Sequence, residues 1–312
     1  PLWDLHAAAD RVKAYFSDRG CFETRSYSFA SAEQNAAFAP AGAIPLKISN
    51  GLTQDMQEMR LSTLPHLLDA WKRNQVRQAP SIRAFEFAKV YQAHPASSPK
   101  APALEKNVLG IIFAGQSIPA WYGATRAFDF YDLKGMVEGF SDDFGLGLTF
   151  IRPQAAPAHF HPGMCAEVRY RGKANGYLGA LHPALAGRLE VGTAFLAELD
   201  ADAWLGAIGV RSKFKPFSIF PHSEKDLAFV VDAQVPAAKV VDEIQALKLP
   251  NLVSVKVFDV YAGKGIPKGK KSLAFTLRFS SPERTLTDDE VSAALARAVD
   301  RVSTALGAQL RS

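Results

Sequence analysis

Apolar residues recur every three or four positions near the start of the chain, a spacing that predicts an amphipathic helix ending at Gly20. The residues that form this apolar face are Leu5, Ala8, Val12, Tyr15 and Phe16. Leucines spaced in the same way predict a second helix over residues 53–78, and residues 128–145 predict a third that ends at a glycine. We therefore expect three helices in the first 145 residues.

Runs rich in aromatic and β-branched residues predict strands between and after these helices. The predicted strands cover residues 21–29, 82–91, 107–115, 164–171, 175–181 and 193–200. A segment of Pro, Ser and Ala over residues 94–103 predicts a loop. Because helices and strands do not alternate regularly, the pattern predicts an α+β fold with a largely antiparallel sheet.

The last hundred residues have a clearer order, β-α-β-β-α-β, which is the ferredoxin-like plan. The four strands are predicted at 226–232, 252–261, 271–279 and 308–311, and Pro236 begins the first helix. The second helix begins at Thr287, where Thr-Asp-Asp-Glu is a capping-box pattern, and ends at Gly307. We therefore predict a first domain at residues 1–205, a linker at 206–216 and a ferredoxin-like domain at 217–312.

Composition is that of an ordinary globular protein, with 48% hydrophobic and 21% charged residues and a net charge of +5. No apolar run is long enough to span a bilayer, so we expect no membrane association. Two cysteines form no disulfide framework, which favours a reducing, cytoplasmic location. Since the chain begins at Pro1, we expect it to be a piece of a longer protein.

The segment GKGIPKGKKS, residues 263–272, resembles a phosphate-binding loop but lacks its spacing, because five residues separate Gly263 from Gly269. Alternating apolar residues from Leu273 to Phe279 predict a strand after the loop. A nucleotide loop requires a helix at that point, so we expect a β-hairpin instead.

Basic residues are concentrated in this hairpin, with six between Lys256 and Arg278 against one acid, Asp259. They can be solvated, but a basic face with aromatic side chains is also suited to RNA. We expect the face not covered by helices to be positive, and Tyr261 to reach it through a bulge near Gly263. The candidate RNA-binding residues are Lys256, Phe258, Tyr261, Lys264, Lys268, Lys270, Lys271, Arg278 and Arg284.

Other chemistry has weaker support in the sequence. His159, His161, Cys165 and His182 suggest zinc, but their spacing matches no common zinc pattern, so we predict no metal site. No Gly-x-Ser-x-Gly elbow occurs, and we predict no catalytic residue.

Ordered segments along nearly the whole chain are similar to those of one family. They include ISNGLTQDMQEMRLSTLPHLLDAWKRN, FEFAKVY, FYDLKGMVEGF, HPGMCAEV, GYLGALHP, FPHSEKDLAFVV, FDVYAGKGIPKGKKSLAFTLRF and ERTLTDDEV. In this order they resemble the C-terminal part of the bacterial phenylalanyl-tRNA synthetase beta subunit. Gly51, Ala88 and Lys225 depart from the residues usual in the family.

This resemblance implies a class II synthetase-like first domain that has lost its active site, followed by an anticodon-binding domain of ferredoxin fold. It implies that ATP and phenylalanine bind the alpha subunit of an assembly with two alpha and two beta chains, which uses ATP and magnesium. It also implies that this chain holds no cofactor, contacts the alpha subunit and binds the phenylalanine tRNA.

The resemblance agrees with the absence from the sequence of the Gly-x-Gly-x-Arg signature of a working class II site, since Leu148 and Thr149 follow Gly145-Leu146-Gly147. An alternative is a free-standing RNA-binding or regulatory paralogue that has no alpha subunit.

Overall fold

The computed structural model describes residues 2–51, 53, 56–98, 101–117, 123–209 and 218–311. The chain divides into two compact units, Pro1–Arg211 and Ser212–Ser312, which are described separately. Among the described residues, we find no helix that is both long and apolar enough to cross a bilayer.

A seven-stranded sheet forms the centre of the first unit. The strands of the whole unit, two of which lie outside this sheet, are β1 Phe22–Glu23, β2 Phe29–Ala30, β3 Glu58–Met59, β4 Ser81–Ser98, β5 Ala101–Gly115, β6 Thr149–Ile151, β7 Phe160–Tyr170, β8 Lys173–Leu181 and β9 Ala194–Asp200. The helices are α1 Leu2–Asp18, α2 Ala32–Phe38, α3 Leu64–Val76, α4 Phe130–Asp143 and α5 Pro183–Leu189. The sheet order is β1-β4-β5-β9-β8-β7-β6, while β2 pairs with β3 separately. Among its described pairings only β1 with β4 is parallel, so the predicted antiparallel α+β fold is confirmed.

Alternating side chains of β9 face two different cores. Phe195, Ala197 and Leu199 belong to the core that includes residues of α1 and α4. Ala194 and Leu196 belong to the core that includes residues of α3 and α5. The period of two along the strand therefore gives the sheet one helical layer on each face.

Three details of the first unit differ from the sequence expectations. The helix predicted over 53–78 begins at Leu64, because residues 58–59 form β3. The strand predicted over 21–29 is reduced to β1 and the first residue of β2. The loop predicted over 94–103 is largely strand, since β4 continues to Ser98 and β5 begins at Ala101.

The second unit has the predicted ferredoxin-like plan. Its elements are β10 Ser223–Asp232, α6 Ala237–Ala246, β11 Leu252–Tyr261, β12 Lys270–Phe279, α7 Asp288–Leu306 and β13 Gln309–Leu310. The sheet order is β11-β12-β10-β13, and every described pair is antiparallel. Both helices pack on one face of the sheet, against Leu273, Phe275, Leu277 and Phe279 of β12. The opposite face carries no helix formed by the described residues of this unit and is called the open face below.

Helix ends in this unit follow the sequence signals. The Thr287 hydroxyl accepts a hydrogen bond from the Glu290 amide, and the Glu290 carboxylate accepts one from the Thr287 amide. Gly307 ends α7 with φ of 60°, a left-handed conformation that favours glycine. The predicted capping box is therefore confirmed.

The start of the predicted linker belongs to the first unit. Leu205–Ala207 forms a short 3-10 helix, and Ile208, which is 5% exposed, packs in the core with α1. Residues 210–216 of that linker lie outside the described residues. The domain limits at 205 and 217 stay predictions.

Candidate nucleic-acid interface

A β-bulge in β11 decides which of its side chains reach the open face. Val257 pairs with a core residue of β12, but the pairing then skips to Asp259 and leaves Phe258 without a partner. Because of this extra residue, Tyr261 lies opposite Ser272 on the open face. Tyr261 was expected to need a bulge near Gly263. The bulge is instead at Phe258, which is 58% exposed.

Tyr261 is held at the base of the hairpin tip, which we define as residues 262–269. Its hydroxyl donates to the Lys264 carbonyl oxygen at 3.2 Å, and the Arg311 guanidinium lies 5.5 Å from its ring centroid. A Cβ at Gly263 would overlap the tyrosine ring, so a glycine is required for this close approach. The ring is therefore fixed by its neighbours and still 38% exposed.

The open face as a whole carries as many acidic as basic residues. The strand register places on it the bases Lys256, Lys270, Arg278 and Arg311 and the acids Glu224, Asp226, Asp232 and Asp259. Three of those acids come from β10, which is distant in sequence from the hairpin. The prediction of a positive open face is therefore wrong for the complete face, and the positive excess lies at the hairpin tip.

Two basic residues of the open face already have acidic partners. Lys270 Nζ lies 3.2 Å from a carboxylate oxygen of Asp232. The Arg278 guanidinium lies 2.9 Å from His222 Nδ1 and 3.8 Å from a carboxylate oxygen of Glu224. Each would have to leave or share its partner in order to contact a phosphate.

Arg284 also has a partner, at the start of α7. Its two terminal nitrogens donate to the two carboxylate oxygens of Glu290 at 2.9 and 2.6 Å. This guanidinium and the Thr287 amide lower the pKa of Glu290 to about 2. Arg284 thus supports the capping box, and its predicted contact with RNA remains a prediction.

The other four basic candidates form no ion pair with any residue in the described ranges. Lys256 is exposed on the open face, opposite Thr276. Lys264 and Lys268 are exposed at the hairpin tip, where there is no acid. Lys271 differs, because it lies opposite Val231 on the helix-covered side and is half-buried. The geometry therefore favours Lys256, Lys264 and Lys268 as phosphate ligands.

Sequence reasoning missed Arg311. It follows β13, its amide donates to the Ala228 carbonyl oxygen, and its guanidinium lies 3.5 Å from the Ser272 hydroxyl and faces Tyr261. The sequence did contain a signal for Arg311. Side chains two positions apart along a strand share a face, so the predicted edge strand places Gln309 and Arg311 on the same face.

The residues considered for zinc have separate structural roles. His159 is buried against Phe38 and Phe160, and burial lowers its pKa to about 4. His161 Nδ1 accepts from the Gly163 amide, and His182 Nδ1 accepts from the Ala184 amide at the start of α5. Within the described ranges, no group of three or more His, Cys, Asp or Glu residues is arranged to hold a metal ion.

Comparison with known families identifies the class of the second unit. Residues 218–311 match the model of the ferredoxin-fold anticodon binding domain. The second unit, with its ferredoxin-like sheet, thus belongs to the class of ferredoxin-fold anticodon binding domains. Residues 4–201 match the model described as the phenylalanyl tRNA synthetase beta chain CLM domain. The chain belongs to the phenylalanyl-tRNA synthetase beta chain family, as its ordered sequence segments predicted.

Curated relatives support the same family assignment over the whole chain. Phenylalanine–tRNA ligase beta subunits are 35% identical in Geobacillus kaustophilus over 99% of this chain and 35% identical in Coxiella burnetii over 100% of it. The beta subunit of Methylococcus capsulatus is 36% identical, also over 100% of the chain. The matched regions make up 38%, 39% and 38% of those relatives, so the chain spans less than half of their length.

Proposed function

We propose that this chain is a non-catalytic portion of a cytoplasmic, ATP-dependent phenylalanine–tRNA ligase. Its second unit binds the anticodon arm of the phenylalanine tRNA, and its first unit contacts the catalytic alpha subunit in an assembly of two alpha and two beta chains. The observation that carries the RNA-binding role is the acid-free hairpin tip beside a fixed, exposed tyrosine ring.

Charge and aromatic character at the hairpin suit an RNA loop and its adjoining backbone. Lys264 and Lys268 extend from the tip without acidic partners among the described residues, so they can neutralise phosphates at no cost in broken ion pairs. Tyr261 and Phe258 offer aromatic surfaces on which unpaired bases can stack. An anticodon loop presents both kinds of ligand close together.

Two basic side chains of the first unit are already paired with carboxylates, which agrees with a non-catalytic role. Lys106 is paired with Asp200 at 3.5 Å, and Arg60 is buried against Glu86 at 2.8 Å. Each would have to leave or share its partner in order to bind phosphate, and the class II arginine signature is missing from the sequence. ATP and magnesium would therefore serve the complete assembly through other residues.

Exposed aromatic residues at the edge of the first sheet support a protein partner. Phe22 in the edge strand β1 is 76% exposed, and Tyr27 shortly after it is 72% exposed. Large apolar side chains in such positions are often buried by another chain. Size-exclusion chromatography with the alpha subunit tests this role: co-elution supports it, and separate elution favours a free-standing RNA-binding or regulatory paralogue.

Filter binding of the chain to the phenylalanine tRNA at several salt concentrations tests the RNA-binding role. Changing Lys264 and Lys268 together to Ala should weaken binding and reduce the salt slope by about 1.5, since each phosphate contact contributes roughly 0.7–0.9. The matched control changes Lys239 and Arg297, exposed on the helical side, to Ala and removes the same charge. An unchanged slope in the tip variant, or an equal change in the control, would contradict the proposal.

A further inference from the structure

A cleft of about 550 Å³ opens in the first unit, over the sheet face on which α3 packs. It lies between the start of α3, the segment after α2, the segment before β7, and strands β4, β5, β8 and β9. Its volume is within the range of small-molecule sites. The larger apolar side chains that line it are Phe38, Leu61, Leu64, Val90, Val108 and Phe160.

Two carboxylates of β9 line this mainly apolar cleft. Asp200 is paired with Lys106, whereas no ion pair with a described residue is formed by Glu198. Its Oε1 atom accepts hydrogen bonds from the Thr63 amide and hydroxyl, both at 2.6 Å, and from the Ser62 hydroxyl at 3.1 Å. These contacts fix the side chain at the positive end of α3. Gly110 makes the arrangement possible, because a Cβ there would overlap the Thr63 hydroxyl.

The second oxygen of Glu198 is unused. Capping of α3 accounts for Oε1, whereas Oε2 accepts no hydrogen bond from any residue in the described ranges. A purely structural cap does not require a carboxylate, since one acceptor atom suffices. The free oxygen is thus available to a ligand.

Glu198 forms no ion pair with a described residue, although the charge of Arg60 acts on it and lowers its pKa in part. Asp200 is paired with Lys106, and the Arg60 guanidinium lies 2.8 Å from Glu86 in a buried pair. His159, which also lines the cleft, is neutral at physiological pH because burial lowers its pKa to about 4. Burial raises the pKa of Glu198, and the hydrogen bonds from Thr63 and Ser62 and the charge of Arg60 offset this rise only in part. When it is ionised, this carboxylate is therefore a negative charge in the cleft without an ion-pair partner among the described residues.

We propose that this cleft binds a small organic cation, with an ammonium group at Glu198 Oε2 and an apolar body against the surrounding walls. An ammonium group supplies both the missing charge and the missing hydrogen-bond donor. The apolar walls favour an organic amine over a hydrated inorganic ion, which would need several more oxygen ligands. The site belongs to the first unit and includes no residue of the hairpin, which belongs to the second.

Three indole compounds with one apolar body and different charges test the proposal by calorimetry on the 312-residue chain. They are tryptamine, a cation; tryptophol, a neutral alcohol; and indole-3-acetate, an anion. At about pH 8 tryptamine should bind at least about tenfold more tightly than tryptophol, and indole-3-acetate should bind most weakly. Equal binding of all three, or no detectable binding of tryptamine, would overturn the proposal.

Glu198→Gln separates the ligand contact from the helix cap, because the amide oxygen can still accept from Thr63. This variant should lose about tenfold or more in affinity for tryptamine and keep its affinity for tryptophol. Glu190→Gln is the matched control, since Glu190 is exposed and outside the cleft, and it should bind as the unmodified chain does. Unchanged tryptamine binding by Glu198→Gln would refute the assignment.

A second variant covers the case in which Glu198→Gln fails to fold. Ala158 is exposed and lines the cleft, so Ala158→Trp should be tolerated and should obstruct the cleft. Tryptamine binding should then fall at least about tenfold, as expected when a bulky side chain occupies the pocket. Full retention of binding would contradict the location that we propose.

Discussion

Replacing His159 by Phe should remove a pH-dependent loss of stability from the first unit. His159 is 8% exposed, and its ring centroid lies 4.5 Å from that of Phe160 and 5.1 Å from that of Phe38. Burial lowers its pKa from 6.5 to about 4. The folded protein therefore resists protonation of an imidazole that the unfolded chain accepts readily.

The sign and size of the effect follow from the two pKa values. Well above pH 6.5 the imidazole is neutral in both states and makes no pH-dependent contribution. As the pH falls from 6.5 towards 4, only the unfolded chain gains the proton, so the free energy of unfolding decreases. At 1.36 kcal/mol per pKa unit, the loss between pH 7.5 and pH 5 is about 2 kcal/mol.

Urea unfolding at the two pH values measures this loss. All four tryptophans, Trp3, Trp71, Trp121 and Trp204, lie in the first unit, so tryptophan fluorescence follows that unit alone. The free energy of unfolding should fall by about 2 kcal/mol more in the unmodified chain than in His159→Phe, because other titrating groups are common to both. An equal fall in the two proteins would refute the argument that His159 is a neutral, buried imidazole.

Two further perturbations test close contacts in each unit. Gly110→Ala should destabilise the first unit by about 1–3 kcal/mol, because the added methyl group displaces Thr63; Gly135→Ala, in α4 with open space around it, should be neutral or stabilising in the same urea assay. Phe258→Ala or Tyr261→Ala should weaken tRNA binding by about 1–3 kcal/mol in filter binding if that ring stacks on a base, and equal affinity in both variants would remove the stacking interpretation.

The sequence predicted elements with strong local signals and missed those that depend on distant partners. The capping box of α7 was readable because both of its partners, Thr287 and Glu290, lie within one turn. The start of α3 was placed too early, although Pro65 near the first helical position marked it. Leucine spacing continued the predicted helix backwards through residues that pair as β3 with β2.

The hairpin between β4 and β5 shows the same limit. Proline and serine around residue 97 favoured a loop, whereas Ala93 pairs with Ala103 and Ser98 with Ala101 across the chain reversal. The antiparallel pairing of the long strands β4 and β5 continues into this segment, whose composition alone does not favour a strand. Composition could not reveal this, because the stabilising partner is the other strand.

At the candidate interface, the sequence predicted the basic hairpin but did not predict the acidic residues that lie beside it on the open face. The excess of lysine is contiguous in sequence, but three of the four acids on the open face come from β10. Asp232 pairs with Lys270 and Glu224 pairs with Arg278, across separations of 38 and 54 residues. The bulge at Phe258 likewise depends on the register with β12. Interstrand pairing therefore places acids among the bases of the open face, and the excess of positive charge is confined to the hairpin tip.

The central claim, recognition of the anticodon arm by the second unit, is tested most directly by exchanging that arm. The affinity of the 312-residue chain would be measured at one fixed salt concentration for three RNAs. They are the intact phenylalanine tRNA, its isolated anticodon stem-loop, and the same tRNA with an anticodon arm from a different tRNA. Our account predicts that the stem-loop competes with the intact tRNA and that the exchanged tRNA binds more weakly. Equal affinity for the intact and exchanged tRNAs, together with no competition by the stem-loop, would contradict it.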